Sequence, residues 1–144
     1  MNNKLILFII GFITTICLGL LIHDSIFKIS IGQNVDSVDF LPDTFHDISF
    51  IKQGGFLVYQ FSADESEFKD FIETKKWELE KVTEPFVISV YNYEGSNSNV
   101  SSLFFSDHTI TEGWFYRRIY PNGGETQIAF DTSSGKGFFI RTPR

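Results

Sequence analysis

The sequence predicts an α+β domain, an antiparallel β-meander sheet packed against one main α-helix and preceded by an N-terminal transmembrane helix. Three observations predict it. Leu5–Ile22 ("LILFIIGFITTICLGLLI") runs for 18 residues without a charge. One segment, "DESEFKDFIETKKW", joins helix caps to an apolar stripe of helical period. The remaining apolar runs are short, rich in Phe, Ile and Val, and punctuated by Gly- and Asn-containing turns, which is the pattern of strands joined by hairpins.

At about 1.5 Å per residue, Leu5–Ile22 spans roughly 27 Å as a helix, enough for a bilayer core. Lys4 precedes it, while His23 and Asp24 follow. The positive-inside rule then keeps the N-terminus in the cytoplasm and places the rest in the periplasm or another extracytoplasmic space. A cleaved signal peptide shares the basic start and apolar core and would secrete the domain. However, "GLLIHDSIF" offers no small-x-small pair before His23, and Ile16 stands where a lipoprotein signal wants a small residue before Cys17. The expected organisation is an anchor over 1–22, a polar linker over 23–39 and a single globular domain over 40–144.

Within the domain, Ile48–Ile51 and Phe56–Ser62 flank Gly54-Gly55 as a hairpin. Leu57, Tyr59 and Phe61 alternate with Phe56, Val58 and Gln60, so both faces of this ribbon are largely apolar. The helix follows, with Asp64 as N-cap, Glu67 at N3 and Lys75-Lys76 in the last turn, all matching capping and dipole preferences. Phe68, Phe71 and Ile72 form its narrow apolar stripe, which suits a helix covering a sheet. A strand is expected over Phe86–Tyr93, then a polar loop ("EGSNSNVSS") with a formal glycosylation acceptor at Asn99-Val100-Ser101, then a short strand in "SLFFSD". Three strands close the chain, near Glu112–Tyr120, Glu125–Asp131 and Lys136–Thr142.

The glycines between Arg117 and Phe139 raise the question of a phosphate cradle. A P-loop needs Gly, four residues and then Gly-Lys-Ser/Thr; Phe130 occupies the first glycine position, and Gly137 replaces the Ser or Thr. The dinucleotide pattern fails at Ile140, and strand sequences follow where a helix should open. Hairpins are the expectation. A two-residue Asn122-Gly123 turn sets Tyr120 opposite Glu125, Arg118 opposite Gln127, Tyr116 opposite Ala129 and Phe115 opposite Phe130. A turn over Thr132–Gly135 sets Asp131 opposite Lys136. One face then carries Phe115, Ile119, Ile128, Phe130 and Phe139, and the other Trp114, Tyr116, Arg118, Tyr120, Phe138 and Ile140. A single helix covers only one face. Trp114, Tyr116, Arg118 and Tyr120 are therefore a candidate protein-contact surface, unless N-terminal segments cover them.

Charge and chemistry narrow the function. The chain has net charge −6; residues 29–111 hold 14 acidic against 5 basic residues, and residues 112–144 hold 3 against 5. So acidic a body argues against nucleic-acid binding. Cys17 is the only cysteine, which excludes an internal disulfide and a Cys-based zinc site. His46-Asp47 and Asp107-His108 are the doublets closest to a metal site or a base–orienter pair. Neighbours on a strand point to opposite faces, and the spacing matches no zinc motif. No Gly-x-Ser-x-Gly elbow is present, and Ser133-Ser134 fall in a turn. No cofactor, metal or catalytic residue is expected.

The C-terminal succession "GWFYRRIY", "PNGG", "IAFD", "GFFI", "TPR", with "FIETKKWELE" upstream, resembles the ending of small uncharacterised bacterial exported proteins. The resemblance covers about Phe40 to Arg144, implies the fold and export, and transfers no active site. Two functions follow as expectations. The first is a membrane-tethered extracytoplasmic protein-binding or immunity-like module. The alternative is a small hydrolase-like envelope enzyme with a site assembled from scattered His and Asp residues.

Overall fold

The computed structural model describes residues 10–19, 29–88 and 107–143. In chain order these form helix α1 (residues 10–19), β1 (Ser30–Val35), β2 (His46–Gln53), β3 (Phe56–Ser62), α2 (Glu65–Lys75), β4 (Glu80–Lys81), β5 (Phe86–Ile88), β6 (His108–Ile110), β7 (Gly113–Ile119), β8 (Glu125–Asp131) and β9 (Lys136–Thr142). Seven strands make one antiparallel sheet in the order β1-β2-β3-β9-β8-β7-β4, and β5 and β6 pair as a separate ribbon. The fold is α+β, and the sheet is built from two meanders, β1–β3 and β7–β9, joined where β3 pairs with β9. Among the described residues no helix is long and apolar enough to cross a membrane. The ends of the expected Leu5–Ile22 span lie outside the described residues. So do residues 89–93 of the expected strand, the Asn99 loop and most of "SLFFSD".

The linker expected over 23–39 is corrected in its second half. Ser30–Val35 is the edge strand of the sheet, paired with β2 through Ser30↔Lys52 and Ile31↔Ile51. Its side chains are mostly exposed, so it shows none of the apolar alternation by which a buried strand is read.

The two glycine-bearing hairpins are built differently. Gln53 and Phe56 close on Gly54 (φ 53°) and Gly55 (φ 87°), the two positive φ values of a type I′ turn. The β7–β8 register is one residue off the expected pairing: Trp114 faces Phe130, Tyr116 faces Ile128 and Arg118 faces Thr126. The reason is Pro121. A two-residue turn on Asn122-Gly123 would need a Pro121 N–H to close its strand pair, and proline has none. The loop is instead Pro121-Asn122-Gly123. The Tyr120 N–H donates to the Gly124 carbonyl (2.8 Å), the Gly123 N–H to the Tyr120 carbonyl (2.9 Å), and of the three loop residues only Gly123 has positive φ (86°). Gly123→Ala should therefore cost roughly 1–2 kcal/mol, read as a lower urea midpoint. The β8–β9 register is as expected, with Asp131 opposite Lys136.

This one-residue shift exchanges the faces of β7. The α2 side of the sheet carries Trp114, Tyr116, Ile128, Phe130, Phe139, Tyr59 and Phe61. Phe68, Phe71 and Ile72 of α2, with Leu41 and Phe45 of the β1–β2 connection, close over it. Phe68 stacks on Phe130 and Phe45 on Phe61, each with ring centroids 4.6 Å apart. The opposite side carries Val58, Ala129, Phe138 and Ile140, with Phe115 half-buried, and meets Ile88 and Ile110 of the β5–β6 ribbon. Both faces are thus covered, which answers the surplus of aromatic surface. Gly137 permits a close approach: the Phe61 ring lies where a Cβ at Gly137 would stand.

Candidate functional site

The four residues expected to form one contact surface do lie on one side of the sheet, along β7 and the residue after it, but Trp114 and Tyr120 line two separate concavities. At one end, α2 and the chain after it approach the sheet. Here the Trp114 Nε1–H donates to the Glu65 carboxylate (2.8 Å), and the Lys69 ammonium lies 4.2 Å from the indole centroid. Lys69 and Trp114 together hold the Glu65 carboxyl below its ordinary pKa. Tyr116 stacks on Trp77 (5.3 Å, 11° between planes), so it is a packing residue under the chain leaving α2. Beside these lies a groove of about 500 Å³ lined by Trp77, Trp114, Leu79 and Ile72, with Lys69, Glu73, Lys76 and Glu78 also lining it.

At the other end of β7 the helix no longer covers the sheet. A cleft of about 940 Å³ opens between the β2–β3 and β7–β8 turns and the end of β9. Its walls include Ser30, Lys52, Leu57, Tyr120, Asn122 and Arg141, and none of its lining residues is acidic. Register explains the composition. Ser30, Lys52, Leu57, Arg141, Thr126 and Arg118 are successive partners across five strand pairs and form one row on the α2 side. Strands lie about 4.8 Å apart, so Lys52, Arg141 and Arg118 follow one another at roughly 10 Å intervals. The Lys52 ammonium sits over the Phe50 ring (4.9 Å), and the Arg118 guanidinium over the Tyr120 ring (5.1 Å). The Tyr120 hydroxyl meets that of Thr126 at 3.3 Å. Among the described residues Lys52, Arg118 and Arg141 form no ion pair, whereas Arg117 on the opposite side grips Glu125 through two hydrogen bonds.

A third cluster sits at the β8–β9 turn. Asp131 is 3% exposed. Its Oδ1 accepts from the Ser133 N–H (3.0 Å) and hydroxyl (2.7 Å), and its Oδ2 accepts from the Ser134 hydroxyl (2.8 Å) and pairs with His108 Nε2 (2.8 Å). Burial raises its pKa, but the Ser133, His108 and Ser134 contacts outweigh burial and hold it at about 2. Sequence reasoning joined His108 to its neighbour Asp107; the structure joins it to Asp131, 23 residues on. His46 lies on β2, three strand pairs from Asp131, so the two His/Asp doublets do not converge. Both serine hydroxyls donate to Asp131 and neither to the imidazole, which is the arrangement of a locked turn and not of an activated nucleophile. Among the described residues no group of three or more His, Cys, Asp or Glu side chains is placed to hold a metal ion.

Fold and surfaces together define an α+β domain in which a helix layer and a β-ribbon sandwich an antiparallel sheet, with an indole-lined groove and a cationic cleft at opposite ends of β7. The chain matches no family model, no curated protein and no solved structure.

Proposed function

We propose that the chain is a membrane-tethered extracytoplasmic protein-binding module, with residues 5–22 as the tether, in keeping with its resemblance to small exported proteins. The observation that carries the binding part is the groove beside α2, where Trp77 and Trp114 line an apolar trough edged by two lysines and two glutamates. Tryptophan is the residue type most enriched at interaction hot spots, and mixed rim charge gives a partner its register. The partner is a protein inserting an apolar anchor between complementary charges.

The tether is supported by α1. Ile10, Phe12, Ile13 and Leu18 are each more than half exposed, so they pack against nothing in the domain. Thr14 and Thr15 turn their hydroxyls back onto the Ile10 and Gly11 carbonyls, which satisfies them within the helix.

The test is site-specific photocrosslinking of the full chain in its native membrane. A crosslinker at exposed Lys76, on the groove, should capture one stoichiometric partner, and one at exposed Thr109, on the ribbon, should not. Glu78→Lys should reduce that capture at least severalfold at unchanged melting temperature. Equal capture from both positions, or none from Lys76, removes the reading. The alternative envelope enzyme rests on the His108–Asp131 pair, and a turnover abolished by His108→Ala with the fold intact would establish it instead.

A further inference from the structure

We infer that the cationic cleft is the membrane-facing end of the domain and takes the phosphate of an anionic lipid headgroup. The inference rests on the tethered reading above and on three independent features of the structure.

The first is position. The cleft holds Ser30, the first residue of β1. Only seven residues separate it from Ile22, the end of the apolar run, and the eight steps of chain reach at most about 28 Å fully extended. Because β1 is antiparallel to β2, the Ser30 end of the sheet is also the end of the β2–β3 and β7–β8 turns. The opposite end lies a further ~20 Å along the strands, so the tether joins the domain at the cleft end.

The second is charge. Lys52, Arg118 and Arg141 stand in one row at the Ser30 end without ion-pair partners among the described residues. Acidic residues gather at the other end: Asp36, Asp39 and Asp43 on the β1–β2 connection, Asp47 at the start of β2, and Asp64 and Glu65 at the start of α2. A chain of net charge −6 would be repelled by an anionic surface in most orientations. This distribution makes cleft inward an attractive orientation, because the surface potential decays within a Debye length of about 8–10 Å and the acidic end then lies beyond it.

The third is the chemistry of the cleft. Its cations are accompanied by the hydroxyls of Ser30, Thr142 and Tyr120 and the carboxamide of Asn122, a set of groups that can donate to phosphate oxygens. Apolar side chains at the same end of the sheet suit the same environment: Ile119, at the tip of β7 before the turn, is 62% exposed, and Ile31 on the edge strand is 40% exposed, both on the ribbon side. Two-ended residues such as Tyr120 favour the membrane–water interface. The Trp groove is left facing away from the bilayer for the protein partner.

The test uses the full chain with Cys17→Ser, reconstituted into vesicles of phosphatidylcholine alone or mixed with phosphatidylglycerol. An environment-sensitive label is placed at Ile119→Cys, and at Thr44→Cys as a far-end control. Headgroup quenching at position 119 should exceed that at 44 severalfold in the anionic vesicles and not in the neutral ones. Removing each of Lys52, Arg118 and Arg141 should weaken the contact roughly fivefold. About 0.5 M salt should suppress it in the unmodified protein, which keeps the test independent of whether a triple variant folds. Quenching that ignores lipid charge overturns the inference. So does full displacement by millimolar inorganic phosphate with vesicle charge irrelevant, which would assign the cleft to a free anion. Carbonate extraction separates the underlying reading: a chain washed from both vesicle types removes the tether, whereas a retained chain without charge dependence removes only the headgroup contact.

Discussion

Phe68→Ala should lower the unfolding free energy by about 3–5 kcal/mol, a large share of the total for a domain of this size. Phe68 has no exposed surface, stacks on Phe130 at 4.6 Å and is the first buried residue of α2. Its removal would leave a cavity between the helix and the sheet, where the neighbouring Phe71, Phe45 and Phe61 are already engaged with one another. Asp70→Ala, on the exposed side of the same helix, should stay within about 0.5 kcal/mol. Urea unfolding of the two variants makes the comparison. If Phe68→Ala costs no more than Asp70→Ala, α2 is not the layer that closes this face.

Asp131 should give the second large effect, and it carries a pH signature. Asp131→Ala leaves three hydroxyl and amide donors and one imidazole nitrogen without their acceptor, at an expected cost of about 2–4 kcal/mol. In the intact protein the carboxyl titrates at about 2, below its ordinary 3.8. Between these values the unfolded chain binds more protons than the folded one, so stability rises with pH. The contribution is complete above pH 3.8 and disappears as pH falls through about 2. A difference of nearly two units corresponds to roughly 2 kcal/mol. The groups facing it are His108 from β6 and Lys136 opposite on β9. Glu65 and Glu125 titrate low as well, so the measurement is the difference between the intact protein and Asp131→Asn in acid-titrated urea unfolding. That difference should shrink as pH is lowered from 4 toward 2. A constant difference would show that Asp131 is held by packing and not by its donors.

Much of the local structure was legible because it is local chemistry. The α2 N-terminus was readable from Asp64 and Glu67, and the Glu67 carboxylate does accept from the Asp64 N–H at 3.3 Å. The stripe Phe68, Phe71, Ile72 was readable from its spacing, and all three are buried. The bounds of β8 and β9 were readable from alternation and from Gly135, whose positive φ of 66° closes the turn. Within the hairpins, what failed was a single residue of register. Asn122-Gly123 is a strong two-residue turn signal in isolation, and Pro121 beside it moves the turn by one residue. Since side chains alternate with a period of two, that shift carried Trp114 and Tyr116 to the helix side of the sheet. The signal was present in the sequence, in the proline's missing N–H.

The candidate sites were less legible, for a different reason. Lys52, Arg118 and Arg141 are far apart along the chain, and only the pairing β2–β3–β9–β8–β7 sets them in one row. His108 meets Asp131 only because the β5–β6 ribbon folds across the sheet. Edge strand β1 hid in an apparent linker because an edge with exposed side chains carries no apolar period. The sequence by itself determined the helix and its caps, the hairpin strands, the covering of apolar surface on both sides of β3, and the segregation of acid from base along the chain. Tertiary structure alone decided which face each β7 residue occupies, which distant side chains share a cleft, and which charges lack a partner. Caps and turns are set by neighbours a few residues apart, whereas a binding surface is set by strand partners that the chain brings together only when the sheet closes.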